Sequence, residues 1–383
     1  MLSSRLTLAG VFSTVAGIVA QGTLANPHAG SYKGYARAGV DSLQRWYNHT
    51  TGLWNTAGWW ISANCLTVLG DMTELDPSML NSSKAIFQNT LSHAPSFKAD
   101  PNLRKANSKM RAQGLVHSIN EEALDAFLNG FYDDEGWWAL GFIQAYDVTH
   151  ESQYLTAAAD IFEDMTTGWG ATCGGIWWDK AHTANVAIAN EIFLSVAAHL
   201  ARRLPDKNHY YMNWALREWY WFKSSGLINS QNTINDGLDL NTCKNNQETV
   251  WSYNQGVILG GLVELFKISG KHSFLSTAHE IASAAIKALS DEHGILHESC
   301  DPNCTGDGTQ FKGIFMRNLQ RLHRASASDE VRRFLQKNAD SIWENDRGSG
   351  NTFGSAFAGP YSPANASTQS AACDALVAAA AVL

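Results

Sequence analysis

The sequence is poor in charge and has no basic run. Only 17% of its 383 residues are Asp, Glu, Lys or Arg, and the formal net charge is −8. A nucleic-acid partner needs a positive patch against its phosphates, so that class is set aside. Strand signals are few; only Gly294 to His297 reads as a short strand. There is no P-loop, no dinucleotide fingerprint and no HExxH metal motif. No GxSxG elbow marks a serine nucleophile. No metal and no cofactor are therefore expected. After the N-terminal region no apolar run is long enough to cross a bilayer, so membrane insertion is not expected.

The N-terminus carries Arg5 ahead of an apolar run from Leu6 to Ala20, followed by small residues. Residues 1–20 read as a secretory signal peptide, with cleavage as late as residue 25. The run is short of the roughly 20 residues a membrane span needs. Six cysteines in a secreted chain imply disulfides, and six allow 15 pairings. Cys300 and Cys304 enclose only three residues and pair most readily; a zinc half-site there lacks a partner cluster. Asn48, Asn81, Asn303 and Asn365 each open a glycosylation sequon. The expected localisation is extracellular or in a cell wall, as a monomer.

Twelve helical segments fit residues 26–383, read as one domain. The first runs from Ser31 to Tyr47, and a long polar stretch from Ala94 to Asn120 reads as an elaborated loop. The helices alternate in kind. Phe274, Ala278, Ile281 and Ala285 make one apolar face, as do Val331, Leu335, Ala339 and Ile342. One-sided helices lie on a surface, whereas segments such as Gly136 to Thr149, Asn185 to Ala201 and Val250 to Phe266 are apolar almost all round and must be buried. Inner helices alternating with outer ones predict an all-α (α/α)6 barrel, a toroid of two layers.

Fourteen tryptophans are too many to spread evenly through a core, and several come in pairs. Aromatic loops precede the inner segments: GWW at Gly58, GWW at Gly136, IWW at Ile176, VWSYN at Val250 and FKGIF at Phe311. In a toroid they converge on one rim, although each aromatic could singly staple its own helix. The central stretch is FYDDEGWWALGFIQAYDVTH, Phe131 to His150. Asp133 and Asp134 stand before Trp137 and Trp138. Acids favour a helix N-terminus, so the pair could be simple caps. Paired carboxyls beside flat aromatic faces also suit glycoside cleavage.

This segment resembles the active-site segment of glycoside hydrolase family 76, the endo-α-1,6-mannanases. That family also contains fungal cell-wall proteins regarded as transglycosylases. The resemblance continues through WWISAN at Trp59, GGIWWD at Gly174, AIANEIFL at Ala187, NDGL at Asn235, WSYNQGVILGGLVEL at Trp251 and FKGIFMRNL at Phe311. It implies an (α/α)6 fold and a retaining mechanism, with Asp133 as nucleophile and Asp134 as acid/base. A retaining pair needs carboxyls about 5–5.5 Å apart. Adjacent helical residues diverge by roughly 100°, so the pair must sit in the loop or the first helical turn.

Trp60, Trp137 and Trp138 are expected to stack on sugar. Asn64, one turn after Trp60, is expected on the same rim. Asn190 and Glu191 are polar in an apolar helix and either face the cleft or bond to a neighbouring helix. Asp236 lies in a DG turn, which the resemblance lifts to a substrate contact. Tyr253, Asn254 and Lys312 complete the expected contacts. Cys173 and Cys243 lie in two rim loops and are expected to pair, leaving Cys65 with Cys373. The expected partner is α-mannan or a mannosylated cell-wall glycan. A transglycosylase on the same scaffold is the close rival, and a silent glycan-binding toroid the distant one. The C-terminal stretch SPANASTQSAACDALVAAAAVL could carry a lipid-anchor signal, but its alanine spacing fits a twelfth inner helix better and Asp374 disfavours a tail.

Overall fold

The computed structural model describes residues 29–93 and 127–383. The expected signal peptide and the Ala94–Asn120 stretch lie outside the described residues. Twelve α-helices occur among the described residues. They are α1 Ala29–Leu43, α2 Trp59–Leu75, α3 Leu80–His93, α4 Tyr132–Thr149, α5 Ser152–Thr166, α6 Ala187–Arg203, α7 Asn208–Ser225, α8 Ser252–Ser269, α9 Ser273–Ala288, α10 Phe311–Ala325, α11 Asp329–Asn345 and α12 Ala366–Ala381.

Even-numbered helices form an inner ring. Each packs on the next, and α12 packs on α2 to close it. Odd-numbered helices lie outside, and the two-layer (α/α)6 barrel is the fold expected from the sequence. Helix α8 is buried from Ser252 to Leu265 with the sole exception of Tyr253. Outer α11 buries only the stripe containing Val331, Phe334, Leu335, Ala339 and Ile342. The last segment is an inner helix whose N-terminus is fixed by a capping box of Asn365 and Thr368.

Inner helices meet closely where side chains vanish. A Cβ on Gly256 would lie 2.7 Å from Cα of Phe315, and one on Gly313 would lie 2.5 Å from Cα of Ala371. Those atoms are backbone and cannot step aside.

Three expectations need correction. Helix α1 ends at Leu43 and passes into a 3-10 turn, because Tyr47 enters a short β pairing with Trp54. Gly294 to His297 is not a strand; Ser290 and Leu296 form an isolated bridge. Asn338 of α11 claims the Leu296 amide, which removes that donor from any ladder. Cys65 and Cys373 are free and buried. Cys65 turns its sulfur to the Ala366 carbonyl, while Cys373 Sγ accepts from Gln369, so the two thiols face different neighbours. Disulfides join Cys173 to Cys243 and Cys300 to Cys304.

Gly313→Ala is expected to destabilise the fold by about 1–3 kcal/mol through overpacking, read as a drop in Tm. Thiol labelling of the native protein should leave Cys65 and Cys373 unmodified, and unfolding without reductant should release two thiols.

Candidate functional site

The N-termini of the inner helices gather at one end of the barrel, and their loops enclose a cleft of about 650 Å³. Its walls include Trp60, Asp133, Asp134, Trp137, Trp178, Asp236, Tyr253, Asp307 and Phe311. Helix α4 starts after extended Phe131, so Asp133 and Asp134 occupy its first turn. The two carboxyls point to different neighbours. Asp133 accepts from the Trp178 indole at 2.9 Å and from the Asp134 amide at 2.9 Å. Asp134 accepts from Asn129 Nδ2 at 2.7 Å.

Beneath the pair a buried charge network fixes the rim. Glu135 Oε1 accepts from Lys180 at 2.6 Å and from the Asn129 amide at 2.7 Å. Lys180 also pairs with Asp164 at 2.7 Å. The Tyr132 amide donates to the Trp178 carbonyl, and the Lys180 amide to Gly130. Glu135 thereby orients Asn129 against Asp134, while Lys180 anchors the loop that carries Trp178 against Asp133.

Aromatic faces line the approach. Trp60 and Trp137 stack with centroids 5.6 Å apart, and Tyr253 stacks on Phe311 at 3.8 Å. Phe131 lies against Trp178 on the other wall. Asp236 is placed by its own carbonyl, which accepts the Ala187 amide beside the pairing of β1 Asn185–Val186 with β2 Gly237–Asp239.

Five expected contacts lie elsewhere. Trp138 is in the core against Trp59, Phe127 and Phe142. Asn64 is buried and accepts from Arg317, one inner helix bonding to another. Asn190 knits the rim loop from below, accepting the Ile176 amide and donating to the Val186 carbonyl. Asn254 is buried beside the Asp236 carboxylate and does not line the cleft. Lys312 is buried in an ion pair with Asp301 under the Cys300–Cys304 loop. Trp178, Asp307 and Asn129 were missed. Trp178 sits in the IWW loop already noted, whereas nothing in the GDG turn around Asp307 signalled a cleft residue.

Burial raises the Asp133 carboxyl well above the carboxylate range; the charge of Asp134 adds to this, and the Trp178 indole opposes it. Burial raises Asp134 to about 6, against the Asn129 hydrogen bond and with help from the Asp307 charge. Two carboxyls so placed titrate as one pair and keep a proton where isolated aspartates have lost theirs. Burial also raises Asp236. Such a pair can protonate a leaving oxygen while its other member stays anionic.

Paired buried carboxyls in an aromatic-walled cleft suit a glycan-processing protein. Within that class, the model of Glycosyl hydrolase family 76 matches residues 103–382, and the chain belongs to that family. It is 27% identical over 208 residues to mannan endo-1,6-alpha-mannosidase DCW1 of Candida albicans, covering 49% of this chain and 46% of that one. The chain thus spans about half the length of the curated relatives it matches. Two examples stand for the solved structures that share the fold. One is an inactive double-aspartate variant of the α-1,6-mannanase GH76A of Salegentibacter sp. HEL1_6 with α-1,6-mannotetrose, at TM-score 0.75, 21% identity, and 92% and 99% coverage of this chain and that one. The other is Dfg5 of Chaetomium thermophilum with glucosamine, at TM-score 0.74, 16% identity, and 92% and 90% coverage.

The raised acids carry a stability cost. The unfolded chain loses its carboxyl protons first as pH rises above about 4, so the folded state is penalised at neutral pH. Asp134→Asn should raise Tm at pH 7 by about 2–4 °C, with the gain vanishing near pH 3, where both states keep the proton. Calorimetry at the two pH values checks this.

Proposed function

We propose that the chain is a secreted glycosidase that cleaves internal α-1,6-mannosidic linkages with retention of configuration. The observation that carries this reading is the Asp133–Asp134 pair, held in the first turn of α4 inside an aromatic-walled cleft. The family membership supports a mannan substrate, as do the relatives named for that activity. Two disulfides and four sequons agree with an extracellular or cell-wall location.

In the proposed mechanism Asp133 is the nucleophile. Two N–H donors favour its anion against the burial that raises it well above the carboxylate range, and the proton the pair shares must pass to Asp134 before attack. Its carboxylate attacks the anomeric carbon as the glycosidic bond breaks. Asp134 gives its proton to the departing oxygen. Water then attacks the glycosyl ester, Asp134 takes the water's proton, and Asp133 leaves as carboxylate. Trp60, backed by the buried Trp137, offers a stacking face for a mannose ring, and Asp236 and Tyr253 on the cleft lining hydrogen-bond its hydroxyls. An acceptor sugar in place of water would give glycan transfer by the same steps.

Asp133→Asn should abolish both steps on α-1,6-mannan. Asp134→Ala should lose about 10²–10⁴-fold on mannan, with an activated aryl mannoside partly rescuing the first step. Azide, which needs no general base, should then restore turnover and give a retained glycosyl azide. Product analysis with and without an acceptor oligosaccharide separates hydrolysis from transfer. If both variants kept near-normal rates, the pair would be only a helix cap.

A further inference from the structure

Asp307 is a carboxylate on the cleft wall beside Asp133, Asp134 and Asp236, and it comes from a different part of the chain. It sits in the short turn Gly306–Thr309 that leads into α10. The turn is anchored on both sides. A Cβ on Gly308 would lie 3.2 Å from Cys300 Sγ, so the Cys300–Cys304 disulfide packs directly against it. On the other side the Thr309 hydroxyl is hydrogen-bonded to Ser367 at the start of α12. Asp307 is exposed, yet its backbone has little freedom.

From this anchored position the side chain reaches Trp60. Asp307 Oδ1 accepts the Trp60 indole N–H at 2.9 Å. That bond fixes the plane of a ring that also stacks on Trp137. Asp307 lines the same cleft as Asp134, and its negative charge raises that carboxyl. The other charged or titratable groups around Asp134 are Asp133 and Glu135 on its own helix, Lys180 behind Glu135, and Asp236 and Tyr253 on the cleft walls. No cation among the described residues forms an ion pair with Asp307.

We infer that Asp307 is a positioning residue of the cleft: its carboxylate holds the Trp60 ring as a sugar platform and sets a negative charge facing Asp134, so that Asp134 keeps the proton it delivers to the leaving group. This rests on the assignment of Asp134 as acid/base. Solvent-exposed charges act weakly, but a bound glycan displaces water between the two carboxyls and strengthens the effect.

Two substitutions separate the roles. Asp307→Asn keeps an oxygen to accept from Trp60 and removes the charge; Asp307→Ala removes both. Carboxyl ¹³C NMR titration of the substrate-free protein should show Asp134 ionising at lower pH in both variants, by roughly half a pH unit. The alkaline limb of kcat/KM on α-1,6-mannan should move the same way. Asp307→Ala alone should also raise KM several-fold. Trp60→Phe, which keeps a ring without its N–H, should raise KM and leave the alkaline limb in place. An unmoved Asp134 titration in Asp307→Asn overturns the inference. So does a KM that rises in Asp307→Asn at every pH with an unshifted limb, because Asp307 would then be a plain sugar contact. The titration needs no substrate. A protein inert on α-1,6-mannan with Asp134 still shifted would therefore refute the substrate assignment and leave the positioning role standing.

Discussion

Ring closure depends on a buried contact shared by three inner helices. Arg317 of α10 donates to both oxygens of Asp374 on α12, at 3.0 and 3.1 Å, and its other nitrogen reaches Asn64 of α2. All three residues are buried. Burial holds Asp374 at about 7 even beside the guanidinium, so geometry and hydrogen bonds contribute more here than net attraction. An incomplete set would leave a buried charge without partners, at a cost of about 3–5 kcal/mol. The contact therefore acts less as a source of stability than as a selector: only one order and register of α10, α12 and α2 satisfies it.

Once the ring closes, the location of the cleft follows. Every inner helix runs in the same sense, so all six N-termini point to one end and the loops before them share one rim. Acids at such N-termini meet helix dipoles that favour negative charge. The rim must still be rigid, because a displacement of about 1 Å at the reacting atoms is costly. Here the Glu135–Lys180–Asp164 network answers that need. It lies directly under the Asp pair and ties α4 to α5 and to the Trp178 loop. The Cys173–Cys243 disulfide ties the same loop to the stretch after the strand Gly237–Asp239.

The two layers were legible in the sequence because burial is written in periodicity. A helix apolar all round has only one place to go, and a one-sided helix has another. The Asp pair and the Trp60–Trp137 contact were legible from residue type, although the segments expected as aromatic loops at Gly58 and Gly136 are the opening turns of α2 and α4. Polar residues on inner helices were not. Asn64, Asn190, Asn254 and Lys312 each lie within two turns of the rim, where a side chain can point into the cleft, to a neighbouring helix or to a loop. A rotation of about 100° per residue decides between these, and the sequence does not record where the neighbours stand. Asp307 was hidden for the opposite reason. Its turn has no periodicity, and its importance comes from Trp60, 247 residues away in the chain.

The adjacency of Asp133 and Asp134 looks at first like an obstacle, since neighbours on a helix diverge. The divergence is what distinguishes them. One carboxyl swings to Trp178 and takes two N–H donors; the other swings toward Asn129 and the Asp307 side of the cleft. Identical side chains thus acquire unlike surroundings at one turn of one helix. Burial and the Asp134 charge raise Asp133 well above the carboxylate range against its two donors, whereas burial and the Asp307 charge raise Asp134 only to about 6. A division of labour between nucleophile and acid needs such an asymmetry, and two aspartates with identical neighbours could not provide it.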